Sequence, residues 1–113
     1  MFFFGYLIRK KQDKLLEIYN NRELQNLSIE QEELWLRAKI VMQFIYLREK
    51  QKLSQQDVAD KMGVTRQQIT KFENMTNSPT IFFLVKYAYA LDTELDVVLK
   101  GVNLMEVTSE KTI

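Results

Sequence analysis

Between Tyr6 and Lys100 the chain contains one glycine, Gly63, and one proline, Pro79. Sandwiches and barrels need a turn residue about every 8–12 positions, so a stretch this poor in turn residues is committed to a mainly helical fold. Its 113 residues, 46% hydrophobic and 27% charged, suit one compact domain with an appended segment rather than two domains.

The longest uninterrupted helical pattern runs from Ile29 to about Lys50. Leu34, Ala38, Val41, Ile45 and Leu47 recur near the 3.6-residue period, and Trp35 and Phe44 widen the apolar face. Ser28 followed by Gln31 has the form of a capping box. Glu30, Glu32 and Glu33 near the start, with Arg48, Lys50 and Lys52 near the end, complement the helix dipole. Upstream, residues 9–25 are good helix formers with Leu15, Leu16, Ile18, Tyr19 and Leu24 as a loose stripe, which predicts an extra N-terminal helix. The apolar opening from Met1 to Ile8 is too short to span a bilayer, and Arg9, Lys10 and Lys11 follow it where a secretory signal would be preceded by positive charge. It reads as a buried strand or docked terminus, the alternative being a peripheral membrane anchor, which usually takes a longer amphipathic helix.

A short pair of helices comes next. Ser54 caps a helix from Gln55 to Met62 with Val58, Ala59 and Met62 inward, and Gly63 supplies the left-handed residue that ends it. Thr65 caps a second helix from Arg66 to Glu73, burying Ile69 and Phe72. Two helices of about two turns joined by a glycine-containing turn form a helix-turn-helix. A polar loop from Asn74 to Ser78 ends at Pro79, and Thr80 caps a helix to Leu91 whose core face reads Ile81, Leu84, Val85, Ala88 and Leu91. From Thr93 to Leu99 the period changes to alternation, with Leu95, Val97 and Leu99 on one side, which predicts a short strand.

If Ile69 and Phe72 face inward, then Arg66, Gln67, Gln68, Thr70 and Lys71 line the exposed face of the second short helix. Arg and Lys donate to guanine O6 and N7, Gln can both donate and accept at adenine, and a Thr methyl suits a thymine methyl. The N-terminal end of such a helix enters the major groove, so Arg66, Gln67 and Gln68 lead and Lys71 follows one turn later. Net charge gives no help, since 16 Lys/Arg against 15 Asp/Glu leave +1. Residues 1–53 carry ten basic against seven acidic side chains and residues 76–113 three against five, a mild asymmetry. Composition also removes chemistry: without Cys or His there is no Cys/His zinc site, thiol nucleophile or Ser-His-Asp triad. No Asp/Glu spacing suggests a metal centre. Neither enzymatic activity nor a cofactor is expected, and the absence of disulfides fits a reducing cytoplasm.

Residues 45–99 resemble the Xre family, the helix-turn-helix of lambdoid phage repressors and Cro proteins. The resemblance is carried by Leu47-Arg48, Leu53-Ser54-Gln55, Val58-Ala59, Gly63-Val64, Ile69, Glu73, Pro79, Leu84, Ala88 and Leu91. It implies a lambda-repressor-like helix-turn-helix bundle, here with an extra N-terminal helix and a short C-terminal β-strand. The DNA-binding domain would span residues 29–100, between an N-terminal extension over residues 1–28 and a flexible tail over 101–113. By the same resemblance Arg66, Gln67 and Lys71 match base-reading positions, flanked by Gln68 and Thr70. Gln55 matches a residue that bonds phosphate and braces the recognition helix, and Asn74 opens a loop that offers N–H groups to phosphate. Arg48 and Glu73 match a pair bridging the first and third family helices. The implied partner is double-stranded DNA, bound by a homodimer on a pseudo-palindromic operator. Recognition helices must lie about 34 Å apart to enter successive major grooves, which a monomer of about 13 Å radius cannot span.

The chain departs from the family at Met75, usually Gly, at Thr76 and Asn77, usually near basic residues, and at Phe82 and Phe83, often polar. Phe82 and Phe83 with Lys86 and Tyr89 would form an aromatic strip facing away from the core, either packing against the N-terminal helix or serving a dimer or partner, as would Leu95 and Val97. A long helix before the motif, from Arg37 to Ile45, and the strand-like Thr93 to Leu99 look like HigA-type antitoxins. That group implies a toxin protein as a second partner, held by residues 1–45 or by the aromatic strip.

Overall fold

The computed structural model describes residues 27–105 and 107. Up to residue 90, the described residues form four helices: α1 (Ile29–Lys50), α2 (Gln55–Met62), α3 (Arg66–Glu73) and α4 (Ile81–Ala90). The helix expected over residues 9–25 and the apolar opening lie outside the described residues. Among the described residues no helix is long and apolar enough to cross a membrane.

Each helix begins at a hydroxyl. Ser28, Ser54 and Thr65 close full capping boxes with Gln31, Asp57 and Gln68, and the Thr80 hydroxyl accepts from the Phe83 N–H at 3.0 Å. Each cap satisfies N–H groups that a helix start leaves without a partner, worth about 1 kcal/mol apiece. The first three boxes also return a side-chain oxygen to the cap's own N–H, at 2.8–2.9 Å. The helix ends share a device as well. A left-handed residue follows every helix: Lys52 (φ 59°) after α1, Gly63 (φ 68°) after α2, Met75 (φ 61°) after α3 and Asp92 (φ 57°) after α4. In each case the chain folds back on the last turn, as when the Leu53 N–H reaches the Arg48 carbonyl, Val64 reaches Ala59, Thr76 reaches Lys71 and Thr93 reaches Ala88 (3.0–3.1 Å).

The core gathers where the four helices meet. Val41, Phe44 and Ile45 of α1 pack with Val58, Ala59 and Met62 of α2, Ile69 and Phe72 of α3, and Leu84, Tyr87 and Ala88 of α4. Burying one such large side chain contributes about 1.5–3 kcal/mol. Four rings form its centre: Phe44 lies 4.7 Å from Tyr87 and 5.6 Å from Phe72, and Phe83 lies 5.3 Å from Phe72, centroid to centroid.

Three expectations are corrected. The face of α4 is rotated from the one read off the sequence, because Ile81 is 70% exposed while Tyr87 is fully buried. A tyrosine can occupy the centre of the core here because its hydroxyl finds an acceptor, the Glu73 carboxylate at 2.7 Å. Phe83 accordingly turns inward onto Phe72 and Tyr87 and leaves the aromatic strip, whereas Phe82 and Tyr89 stay 72% and 74% exposed. Thr93 to Leu99 forms no strand, and no strand occurs among the described residues. Alternating side chains do not make a strand without a second backbone to complete the ladder, and only Leu95 of this segment leans on the core, leaving Val97, Val98 and Leu99 exposed.

Candidate nucleic-acid interface

The sequence from Ser54 to Asn74 builds α2, a tight turn and α3, and one buried ion pair locks α3 in place. Arg48 donates from Nε and Nη2 to the two oxygens of Glu73 at 2.9 and 2.8 Å, and from Nη1 to the Leu53 carbonyl at 2.9 Å. Glu73 also accepts from Gln55 Nε2 at 3.1 Å and from the Tyr87 hydroxyl at 2.7 Å. A carboxylate has about four acceptor sites, and here four hydrogen bonds fill them from α1, α2 and α4. Burial works against the Arg48 charge, but the hydrogen bonds and charge of Glu73 outweigh it and raise the guanidinium above its ordinary pKa. Burial, then the charge and hydrogen bond of Glu73, push the Tyr87 phenol well above the tyrosine range, so it stays a donor.

Gln55, first in α2, is wedged between two residues of α3. Its Nε2 donates to Glu73, and its Oε1 accepts from the Thr70 hydroxyl at 2.8 Å. The amide thus braces α2 against α3 and keeps a second Nε2 hydrogen for another acceptor.

With Ile69, Phe72 and Glu73 buried, Arg66, Gln67, Gln68 and Lys71 are left exposed on α3. Thr65, Arg66, Gln67, Thr70 and Lys71 line a shallow, open groove. Gln68 spends its oxygen on the capping box, leaving its NH₂ group as the outward donor. Thr70 is half-buried with its hydroxyl taken up by Gln55, so its methyl is what it can offer outside. Asn74 caps the end of α3, exposed, with its N–H donating to the Thr70 carbonyl at 2.9 Å.

One contributor escaped the sequence reading. Arg37, in the first half of α1, donates from Nη1 to the carbonyls of Met75 (3.1 Å) and Asn77 (3.3 Å) in the loop after α3. Glu33 holds the Arg37 Nη2 at 2.8 Å and accepts from the Ser78 hydroxyl at 3.0 Å. The hydrogen bond from Arg37, ahead of that from Ser78, keeps the Glu33 carboxyl below its ordinary pKa. Spacing of four residues announces a Glu33–Arg37 pair on the helix surface, but nothing local in the sequence points from it to a loop some forty residues away. The aromatic strip, reduced to Phe82, Lys86 and Tyr89, lies on α4, with the Lys86 ammonium 5.4 Å from the Phe82 ring centroid.

The helix-turn-helix family matches residues 45–98, which takes in the last turn of α1, all of α2, α3 and α4, and the segment after them. This segment, just under half of the chain, is similar to that family. The chain is 41% identical over 54 residues to YqaE of Bacillus subtilis, an uncharacterized HTH-type transcriptional regulator, covering 48% of this chain and 47% of that protein. It is 39% identical over 69 residues to antitoxin HigA1 of Mycobacterium tuberculosis, in two strains, covering 61% of this chain and 46% of the antitoxin. The matched part of the chain therefore spans about half the length of these relatives. No solved structure matches the chain significantly.

Proposed function

We propose that the chain is a sequence-specific transcriptional repressor that reads the major groove of a pseudo-palindromic operator as a homodimer. One observation carries this reading: the exposed face of α3 bears Arg66, Gln67, Gln68 and Lys71, while its inner face is fixed by the Glu73 hydrogen bonds. In this reading Arg66, Gln67, Gln68 and Lys71 address base edges, Thr70 offers its methyl, and Gln55 and Asn74 contact phosphate on either side. Arg48 and Glu73 keep the reading helix in register. No reaction is assigned to the chain and no cofactor is called for. It would act in the cytoplasm, where the DNA is.

Fluorescence anisotropy tests the reading, with one duplex from the protein's own promoter and one scrambled, at several salt concentrations. A preference for the promoter of at least about 10³ is expected. Gln67→Ala or Lys71→Ala should cost about 1–3 kcal/mol on the promoter and relax sequence preference, whereas Gln55→Ala should weaken binding to both duplexes. Equal losses from all three on both duplexes would show that α3 is not the reading helix.

A second reading is favoured by the similarity to HigA1, which extends over 69 residues and so exceeds the 54-residue helix-turn-helix segment. In it the chain is an antitoxin that neutralises a ribonuclease toxin and represses its own operon. A small basic protein co-purifying in fixed stoichiometry is the expected outcome. Removal of residues 1–28 should then abolish neutralisation and spare DNA binding; loss of neither would dismiss this reading.

A further inference from the structure

The family-matched segment starts at residue 45, yet the loop after α3 is held by a side chain eight positions earlier. Arg37 takes the carbonyls of Met75 and Asn77 on one nitrogen, and Glu33 grips both Arg37 and the Ser78 hydroxyl. Three residues of the loop, Met75, Asn77 and Ser78, are thereby tied to the first half of α1. The Arg37 Nε is buried without a hydrogen-bond partner, so the guanidinium is oriented for the loop and not for its own full satisfaction.

The geometry has a consequence on the loop's other side. All described peptide bonds are trans, and in a trans peptide the C=O and the following N–H point in opposite directions. With the Asn77 carbonyl turned to Arg37, the Ser78 N–H is turned away from it, and that N–H has no acceptor among the described residues. Met75 needs the same anchoring, because its left-handed backbone (φ 61°) costs a residue with a Cβ what glycine would adopt freely.

We propose that Arg37 is a positioning residue for DNA binding: by fixing the Met75 and Asn77 carbonyls it presents the Ser78 N–H, on the loop that follows α3, to a backbone phosphate. This rests on the DNA-binding reading above. It extends the phosphate contact beyond Asn74 and gives the long α1 a part in binding, since the loop's shape depends on a side chain outside the helix-turn-helix. A neutral N–H donor adds a hydrogen bond to the phosphate without adding a cation, so Arg37 acts on affinity and not on counterion release.

The experiment titrates the full chain, Arg37→Ala and Arg37→Lys against the promoter and scrambled duplexes over a range of salt, with thermal unfolding of each protein recorded in parallel. Arg37→Ala is expected to weaken binding to both duplexes equally, by about tenfold, the loss of one charge-assisted hydrogen bond, with the salt slope unchanged at temperatures where it is fully folded. Arg37→Lys, which keeps a donor but not the fork, should recover part of the loss, and it carries the test if the alanine variant fails to fold. Unchanged affinity in a folded variant overturns the proposal. A salt slope reduced by about 1 would make Arg37 itself a phosphate contact and overturns positioning. Loss confined to the promoter duplex would place its effect on base reading and overturns it too. If the unaltered chain fails to bind either duplex, the DNA-binding reading falls first and this one with it, an outcome distinct from the other three.

Discussion

Glu73 closes α3 at the end where the helix dipole disfavours an anion, and the structure shows what offsets this. Arg48 supplies an opposite charge in bidentate geometry, and Gln55 and Tyr87 fill the remaining acceptor sites. Removing one partner from such a buried pair typically costs about 3–5 kcal/mol, because the other charge is left without compensation. Tyr87 is the member with a pH signature. Its phenol is raised above the ordinary tyrosine value in the folded protein, so its stabilising contribution is complete below about pH 10, where an unfolded-chain tyrosine begins to ionise, and is lost as pH rises beyond it. Tyr87→Phe should therefore lower stability at neutral pH by about 1–3 kcal/mol, the range for a hydrogen bond to a charged group. The gap between the two proteins should narrow above about pH 10. Urea unfolding at pH 7 and at pH 10.5 checks this, and a gap independent of pH would mean that the phenol is not held protonated by the fold.

Helix ends were the most legible feature of this chain. Ser28, Ser54, Thr65 and Thr80 stand where a hydroxyl precedes a periodic apolar run, and all four cap helices. Gly63 was readable for the same local reason. Lys52 and Met75 are left-handed too but have residue types that do not announce such a backbone, whereas Asp92 is of a type that adopts it more readily than most. The base-competent face of α3 followed from the inward spacing of Ile69 and Phe72. What sequence could not deliver depended on distant partners: Tyr87 enters the core only because Glu73 accepts its hydroxyl, Arg37 reaches a loop forty residues on, and Thr93 to Leu99 lacks a partner strand. The helix ends also yield a paired prediction. A Cβ at Gly63 would meet nothing within 4 Å, so Gly63→Ala tests backbone strain alone and should cost about 1–2 kcal/mol. Lys52 is exposed at φ 59°, and Lys52→Gly should stabilise by about 0.5–1 kcal/mol, by relieving the same strain net of the added freedom of the unfolded chain. Midpoints of thermal unfolding should move in opposite directions; a shared direction would show that left-handed strain does not set the stability of these ends.

For the molecule as a whole, a net charge of +1 supplies no strong field to draw the chain onto DNA. If the chain binds as a dimer, affinity at an operator comes from geometry: two α3 helices about 34 Å apart would bind the second half-site at the effective concentration fixed by the first. On the dimeric reading the contact between copies has to be apolar and lie clear of α3. Phe82 and Tyr89, 72% and 74% exposed on α4, meet the first requirement, as do Val97 and its exposed neighbours. Phe82→Glu places a charge in the patch without touching the core, because Phe83 and not Phe82 packs on Phe72. If α4 joins the copies, this variant should keep its helical content and its affinity for a half-site duplex, yet bind the full operator at least about tenfold more weakly, which is about 1.4 kcal/mol of lost coupling. Sedimentation should find it monomeric at concentrations where the unaltered chain is a dimer. Full-operator affinity equal to that of the unaltered chain would move the contact to Val97 and its exposed neighbours, and an unaltered chain that stays monomeric at tens of micromolar, even on DNA, would end the dimeric reading, because one copy of α3 reads only one half-site.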